Sequence, residues 1–138
     1  MRIIAGDFRG RTLASVGKGD QAAHLRPTTD RVRESLFNII GSGRFGDPIT
    51  NARVLDIFAG TGALGLEALS RGADHLCCIE MGSKSLSILR KNIEICSVSA
   101  QTQVKKMDAT RLPKCDAAPY SLIFLDPPYG KGLGEKAL

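Results

Sequence analysis

The sequence lacks the patterns that mark membrane, secreted and repeat proteins. No apolar run approaches the length that spans a bilayer, and the N-terminus has no apolar signal-peptide core. Internal repeats and low-complexity segments are also missing. With 138 residues the chain can bury a core but forms one domain at most. We therefore expect a cytoplasmic protein with a single domain, 1–138, and no membrane partner.

The chain also lacks patterns typical of metal sites and of nucleophilic catalysis. Its four cysteines form no CxxC pair, and Cys77 and Cys78 lie in an apolar, strand-like run whose adjacent side chains point to opposite faces. We expect buried, reduced thiols and no metal. His24 and His75 have no partner pattern, and no Ser or Cys nucleophile with a histidine base is evident.

The N-terminal third of the chain is basic. Residues 1–53 contain nine Lys/Arg against five Asp/Glu, a net charge of +4, whereas residues 54–138 contain ten against nine, a net charge of +1. This asymmetry favours a polyanionic partner such as RNA or DNA. A solvated basic surface would give the same counts, so charge alone leaves both interpretations open.

The first fifty residues predict an appendage made of a hairpin and a helix. Short β-prone runs at 2–5 and 11–14 flank a turn that contains glycines. A helix is predicted at about 28–41, capped by Thr28 or Thr29. Its apolar stripe is predicted to contain Val32, Leu36, Ile39 and Ile40.

From residue 54 onward, strand-like runs alternate with helical patterns. Helices are predicted at 64–71 and from a Ser83 cap onward. Strands are predicted at 54–58, 75–79, 101–107 and 120–125. This alternation predicts an α/β body at 51–138 whose sheet is mostly parallel. Since only four strands can be counted, we expect a truncated sheet, and a monomer unless a partner chain completes its open edge.

A glycine-rich segment, Gly60-Thr61-Gly62-Ala63-Leu64-Gly65, matches G-x-G-x-x-G between a predicted strand and a predicted helix. Glycines let the backbone approach a nucleotide-like cofactor without an intervening Cβ. Glu80 ends the next strand, where a carboxylate can accept both ribose hydroxyls. The motif alone also fits a dinucleotide, and Glu80 alone would pass for an ordinary surface residue.

Two further carboxylates bear on the choice of cofactor. Asp56 places a charge inside an apolar strand, so a donor or a cation is expected beside it. A sulfonium or α-ammonium group would serve, and NAD has neither near its phosphates, which favours S-adenosylmethionine. Asp108, after the third strand, is a candidate acceptor for the adenine amine, with Ala109 leaving room for the ring. A turn cap is the alternative role for Asp108.

The tetrad Asp126-Pro127-Pro128-Tyr129 follows the fourth predicted strand and is suited to hold a nucleobase. Prolines fix φ and donate no N–H, so nearby carbonyls stay free to accept. Asp126 and a carbonyl would accept the two hydrogens of an exocyclic amine, and Tyr129 would stack on the base, worth about 1–3 kcal/mol. Methyl transfer from a sulfonium then needs mainly in-line positioning. An ordinary proline-rich turn is the alternative.

A polar segment at 25–34 marks the start of the first predicted helix. Free helix N–H groups, together with Arg26, Arg31 and Arg33, would bind phosphate there. An amphipathic cover helix with solvated charges is the alternative interpretation.

In combination these segments resemble the bacterial small-subunit ribosomal RNA guanine-N2 methyltransferase family. The resemblance rests on residues 26–34, 55–62 and 126–129, and on the opening Arg2-Ile3-Ile4-Ala5-Gly6 with Arg9-Gly10. It implies a Rossmann-like class I methyltransferase fold with helices on both faces of the sheet. It also implies methyl transfer from S-adenosylmethionine, leaving S-adenosylhomocysteine, to a guanine of small-subunit rRNA or of an assembling small subunit. Family members continue past the tetrad with three more strands and their helices, which this sequence does not contain.

The resemblance further implies a role for each matching residue. The methionine end of the cofactor would contact Asp56, Phe58, Ala59, Gly60, Thr61 and Gly62. Glu80 would hold the ribose, and Asp108 with Ala109 the adenine. The target guanine amine would be held by Asp126, Pro127, Pro128 and Tyr129, with Asp126 also beside the cofactor. The RNA contacts would be Arg9, Arg11, Arg26, Thr28, Arg31 and Arg33.

Three alternatives to this function stay open on sequence grounds. The same tetrad would serve an amino-methyltransferase acting on DNA or tRNA bases. A truncated, non-catalytic fragment that binds only RNA or cofactor is a second possibility. An NAD-linked oxidoreductase is the third, and both Asp56 and the tetrad disfavour it.

Overall fold

The computed structural model describes residues 1–15, 29–115, 118–127 and 132–138, and its centre is a sheet of four parallel strands. The strands are β1 (Arg53–Ile57), β2 (His75–Glu80), β3 (Thr102–Lys106) and β4 (Leu122–Leu125). The helices are α1 (Asp30–Ile40), α2 (Ala63–Ser70), α3 (Ser83–Cys96) and α4 (Leu133–Ala137), with 3-10 turns at Ser99–Gln101 and Ala109–Arg111. The parallel α/β arrangement predicted from the alternating pattern is confirmed, with strand bounds shifted by one or two residues at most ends.

The strand order in the sheet is β3-β2-β1-β4. β1 lies between β2 and β4, so that Asp56 is opposite Cys78 on one side and Phe124 on the other. From β1 the chain proceeds through β2 to β3 in one direction, whereas β4 lies on the opposite side of β1. The order therefore reverses at β1, and all four strands end at the same edge of the sheet.

The two faces of the sheet are covered unequally. The larger core cluster joins alternate strand residues such as Val54 and Leu76 to α1, α2 and α3. The opposite face carries a smaller cluster around Ile57 and Cys77, with the 3-10 turn at 109–111 and α4 beside it. Ile123 on β4 is 55% exposed. The prediction of helices on both faces of the sheet is therefore confirmed. Within the described ranges, the face that carries the smaller cluster is covered by one α-helix, the short α4.

The N-terminal segment is held to α2 through buried polar groups. The predicted hairpin of this segment is confirmed only in part: a single antiparallel bridge joins Arg2 and Thr12, and residues 1–15 form no regular strands. The Glu67 carboxylate is fully buried and accepts from the amides of Ile4 (2.9 Å) and Ala5 (3.1 Å). It also accepts from Arg33 Nη1 at 3.1 Å and Arg71 Nε at 2.8 Å. These four donors compensate for the desolvation of one buried charge.

Helix α1 is oriented differently from the prediction. Its cap is Thr29, as expected, but the helix buries Arg33 and Phe37 and leaves Val32 and Ile39 each 55% exposed. Of the predicted apolar stripe, Leu36 and Ile40 do pack against the core, so the prediction is only partly correct. The buried face is centred instead on Phe37 and on Arg33, which pairs with Glu67. Arg33 also bonds to the Arg2 carbonyl and to Asp30. Its predicted contact with RNA is therefore wrong.

Two smaller expectations are also corrected. Helix α3 follows Gly82 without a side-chain cap, so Ser83 is its first residue and not its cap. Cys77, Cys78 and Cys96 are buried free thiols as expected, whereas Cys115 is exposed. No helix in the described part of the chain is long and apolar enough to cross a membrane.

Candidate active site

The residues singled out in the sequence meet at the carboxyl edge of the sheet. The glycine-rich loop follows β1, Glu80 ends β2, Asp108 follows β3 and Asp126 follows β4. Because the strands are parallel, these four positions share one edge. In open α/β sheets, ligands bind outside the carboxyl ends of the strands where the strand order reverses, which here is at β1.

The loop between β1 and α2 is shaped by residues of positive φ. Phe58 has φ 61°, a conformation that costs a non-glycine residue about 1–3 kcal/mol and is found most often at functional sites. Gly60 and Gly62 have φ values of 58° and 85°. A Cβ on Gly62 would lie 2.4 Å from Leu89 Cδ1, so a side chain there would require Leu89 to shift, in addition to the strain of a positive φ. Packing against α3 and backbone conformation therefore both favour glycine at position 62.

Glu80 fastens this loop to the end of β2. Its Oε1 accepts from the Gly60 amide at 2.8 Å, and its Oε2 accepts from the amides of Met81 at 3.0 Å and Gly82 at 2.9 Å. A second bond, from the Ala59 amide to the Ile79 carbonyl at 3.0 Å, runs beside it. The half-buried Glu80 is therefore an integral part of the loop, with its carboxylate at the sheet edge.

Asp56 is a buried carboxylate beneath the loop. Its Oδ2 accepts from the Gly65 amide at 3.1 Å. Gly65 is the third residue of α2, and the cap residue Gly62 has no side chain to offer, so Asp56 supplies the oxygen that a capping side chain normally provides. The pKa of Asp56 is raised to about 7, mainly by burial and to a smaller extent by the negative charges of Asp126 and Glu80, while the Gly65 bond acts in the opposite direction. The donor expected beside Asp56 is thus a backbone N–H, which offsets the cost of burial only in part.

Asp108 caps a 3-10 turn. Its Oδ1 accepts from the Thr110 amide at 2.9 Å and from Thr110 Oγ1 at 2.7 Å, and these bonds lower the pKa of the carboxyl. This is the capping role considered as the alternative from sequence. Ala109 is buried against Ile57, Cys77 and Ile79, so it lies in the smaller core cluster behind the sheet edge.

The described half of the tetrad lies at the end of β4. Asp126 is exposed, and it directly follows β4, which pairs with β1, so it lies at the point where the strand order reverses. Its negative charge contributes to the raised pKa of the buried Asp56. Pro127 packs against α4: a Cβ on Gly134 would lie 2.9 Å from Pro127 Cγ. Pro128 and Tyr129 lie outside the described residues.

The predicted RNA contacts occupy different surroundings. Arg9 and Arg31 are exposed. Arg11 is also exposed, but its guanidinium lies 5.1 Å from the Phe8 ring centre and donates to the Ile95 carbonyl at 3.1 Å. Arg26 and Thr28 fall outside the described residues. Arg9 lines a cleft of about 230 Å³ whose other charged side chains are Arg2, Asp30 and Glu34, so that cleft carries charges of both signs.

Two buried polar residues, one of them beneath the glycine-rich loop, were missed by sequence reasoning. Glu67 lies in a helix that is buried on all sides, so periodicity does not mark it. Asn92 is fully buried on α3 and bonds to the glycine-rich loop. It lies three residues after Leu89 on the buried face, and a polar residue on an apolar stripe was the signal that would have found it.

No group of three or more His, Cys, Asp or Glu among the described residues is placed to hold a metal ion.

Comparison with known proteins gives consistent matches along the whole chain. A family model described as conserved hypothetical protein 95 matches residues 1–138. Ribosomal RNA small subunit methyltransferase D of Escherichia coli strain K12 is 40% identical over 138 residues, covering 100% of this chain and 65% of that protein. The Bacillus subtilis protein YlbH, named as a candidate rRNA methyltransferase, is 39% identical over 132 residues, covering 94% of this chain and 67% of that protein. The chain thus spans about two thirds of the length of these relatives.

A solved structure supports the same assignment. The Escherichia coli protein yhhF, described as a candidate methyltransferase, matches with a TM-score of 0.78 and 38% identity, covering 99% of this chain and 69% of that one. The Rossmann-like class I methyltransferase fold is therefore confirmed, and so is the resemblance stated from the motifs. The chain belongs to the family described as conserved hypothetical protein 95, whose relatives include the small-subunit ribosomal RNA methyltransferases.

Proposed function

We propose that the protein transfers a methyl group from S-adenosylmethionine to the exocyclic N2 amine of a guanine in small-subunit ribosomal RNA. The observation that carries the proposal is the convergence of Asp56, Glu80 and Asp126 on a glycine-rich loop at the reversal of strand order. These carboxylates give the sheet edge a negative charge that suits a cationic cofactor. The similarity to ribosomal RNA small subunit methyltransferase D supports rRNA as the substrate class.

The residues at the edge fit the parts of this cofactor. The loop at Ala59–Gly62 offers backbone close to a ligand, and the Glu80 carboxylate lies directly beside it for the ribose hydroxyls. Asp56, whose burial is only partly compensated, would gain from a positively charged group nearby. Asp108 has one carboxylate oxygen engaged by Thr110. Its Oδ2 would take the adenine amine, with Ala109 forming the floor of that end.

S-adenosylmethionine supplies an electrophilic methyl group when bound. Asp126 would accept hydrogens of the guanine amine, which orients the amine and increases electron density on its nitrogen. As the nitrogen gains its methyl group, Asp126 would accept the proton that the amine loses. Pro127 and Pro128 would leave backbone carbonyls unpaired for the second hydrogen, and Tyr129 would stack on the base. Arg9, Arg11, Arg26, Thr28 and Arg31 would contact the RNA backbone.

The test removes the proposed amine acceptor. Asp126→Ala is expected to lower methyl incorporation by about 10²-fold or more, in the range that general acid–base groups supply. Calorimetric binding of S-adenosylhomocysteine should largely survive. Asp74→Ala, which removes an exposed aspartate before β2 at the opposite edge of the sheet, is the matched control. The substrate is small-subunit rRNA, naked or in the particle, isolated from cells that lack the methyltransferase.

The possible outcomes distinguish rRNA from other substrates and also test the role of Asp126. Mass-spectrometric mapping should find the new methyl group on guanine N2 of the rRNA. Normal turnover by Asp126→Ala would exclude the assigned role. Methylation of tRNA or DNA but not of rRNA would keep the chemistry and replace the substrate.

A further inference from the structure

The side chain of Asn92 forms hydrogen bonds to both the glycine-rich loop and the N-terminal segment. Its side chain is fully buried in α3. Nδ2 donates to the Thr61 carbonyl at 2.9 Å and to the Ala14 carbonyl at 3.0 Å, while Oδ1 accepts from the Ala14 amide at 2.7 Å. Because its partners are two acceptors and one donor, only one of the two possible orientations of the Asn92 side-chain amide satisfies all three hydrogen bonds.

The hydrogen bond from Asn92 acts on the peptide unit between Thr61 and Gly62. The Thr61 carbonyl belongs to the peptide unit that precedes Gly62, and glycine accepts many backbone conformations. Rotation of that peptide unit would turn its carbonyl and its amide toward the opposite sides of the loop. The Gly62 amide currently donates to the Ala59 carbonyl at 2.9 Å, and Asn92 holds the other end of the same unit.

The remaining contacts of the loop come from a different element. Ala59 and Gly60 are held by the end of β2, through Ile79 and Glu80. Two residues of α3 reach the loop: the Leu89 side chain packs against Gly62, and Asn92, about one helical turn later, supplies the hydrogen bond to Thr61. The same amide also holds the backbone of Ala14 by two bonds, so the N-terminal segment and the loop share one anchor.

From this arrangement we infer that Asn92 is a positioning residue: it sets the conformation of the Thr61–Gly62 peptide unit and thereby the affinity for the cofactor, and it ties that conformation to the N-terminal segment. The inference rests on the proposed cofactor function of the loop. Asn92 lies beneath the loop and acts through Thr61, not by touching the substrate itself.

The experiment compares neighbouring variants in one helix. Asn92→Ala is expected to weaken binding of S-adenosylhomocysteine about tenfold, as loss of a buried hydrogen bond implies, and to raise the KM for S-adenosylmethionine with little change in the KM for RNA. Ile93→Ala removes buried apolar volume from the same helix and serves as the control for lost stability. It should lower the Tm while leaving the dissociation constant within about twofold. Binding is measured where circular dichroism shows each variant folded.

A second variant tests the bond itself and keeps the inference testable if Asn92→Ala does not fold. Asn92→Asp retains an acceptor for the Ala14 amide but lacks the donor to Thr61. Protonation of the introduced carboxyl would restore an O–H donor, so its binding defect relative to the unaltered chain should shrink from pH 8 to pH 6. The Tm of Asn92→Asp is measured at the same pH values, because an ionised carboxylate that faces the Thr61 and Ala14 carbonyls also lowers stability. A binding defect that only follows the change in Tm would indicate a merely structural role and would overturn the inference.

The results that overturn the inference are distinct from those that overturn the function. Binding within about twofold of the unaltered chain for both Asn92 variants would overturn the inference alone. Equal weakening by Ile93→Ala and Asn92→Ala would also overturn it, because the effect would then follow stability. Failure of the unaltered chain to bind either S-adenosylmethionine or S-adenosylhomocysteine would overturn the proposed function and the inference together.

Discussion

Replacing Asp56 by Asn tests how much the buried carboxylate beneath the loop costs the folded protein. Asn keeps an oxygen that can accept from the Gly65 amide, so the variant changes charge with little change in shape. Burial raises the pKa of Asp56 from an ordinary value of 3.8 to about 7. Between these two values the folded chain holds a proton that the unfolded chain has released.

The sign of the effect follows from this proton difference. When the folded state binds more protons than the unfolded state, the free energy of unfolding falls as pH rises. The contribution of Asp56 is therefore fully present below pH 4, decreases through the interval from pH 4 to 7, and is lost above pH 7. At 1.36 kcal/mol per pKa unit, the loss over the whole interval is about 4 kcal/mol, of which about 3 kcal/mol falls between pH 5 and pH 8.

Urea unfolding at pH 5, 6, 7 and 8 would measure this contribution as a difference between two chains. Other titrating groups affect both chains alike and cancel. The free energy of unfolding of Asp56→Asn, relative to the unaltered chain, should increase by about 3 kcal/mol from pH 5 to pH 8. Asp74→Asn removes an exposed carboxylate and should show no such trend. Parallel pH profiles for the unaltered chain and Asp56→Asn would refute the reasoning.

Three further predictions follow from the packing and the buried charges. Gly65→Ala should destabilise the chain by about 1–3 kcal/mol in thermal unfolding, because its Cβ would lie 2.5 Å from Leu76 Cδ1. Combining it with Leu76→Ala should relieve that contact, and strictly additive effects would contradict the argument. Glu67→Gln should cost about 3 kcal/mol in urea unfolding because, within the described ranges, it leaves the fully buried Arg33 with only the partly exposed Asp30 as a charged partner, and a loss below about 1 kcal/mol would contradict this. A thiol reagent should modify Cys115 rapidly and the three buried cysteines slowly in the folded state, as peptide mass spectrometry would show. Rapid modification of all four cysteines would show that the core opens readily.

The sequence was sufficient to predict which residues meet at the carboxyl edge of the sheet, but not how they are held there. Alternating strands and helices predicted a parallel sheet, and parallel strands bring Glu80, Asp108 and Asp126 to one edge without any knowledge of side-chain contacts. The orientation of α1 was mispredicted because periodicity ranks residues by polarity. Arg33 is buried by a distant partner, Glu67, which lies 34 positions along the chain. Long-range ion pairs of this kind leave no local pattern.

The donor beside Asp56 shows a second limit of the same kind. From sequence, a charge in an apolar strand required a donor or a cation, and the cofactor was the candidate cation. The structure supplies a backbone N–H from Gly65 at the start of α2, which depends on how closely that helix packs against β1. Asn92 was missed for a related reason. Its partners are the backbone carbonyls of Thr61 and Ala14, 31 and 78 positions away along the chain, and the sequence does not show which backbone groups a side chain will reach.

The cost of Asp56 and the proposed chemistry are linked through charge. A single N–H from the N-terminus of α2 leaves the pKa of Asp56 raised, while the charges of Asp126 and Glu80 add to the cost of ionising it. A bound group of positive charge would reverse that balance, because it would stabilise all three carboxylates at the same edge. Since Asp56 is ionised in the folded chain only above about pH 7, such a ligand should raise the Tm more at pH 8 than at pH 5, and this difference should vanish in Asp56→Asn. Asp56 lowers the free energy of unfolding of the protein without ligand, and the same carboxylate would make the affinity of the protein for a cation depend on pH.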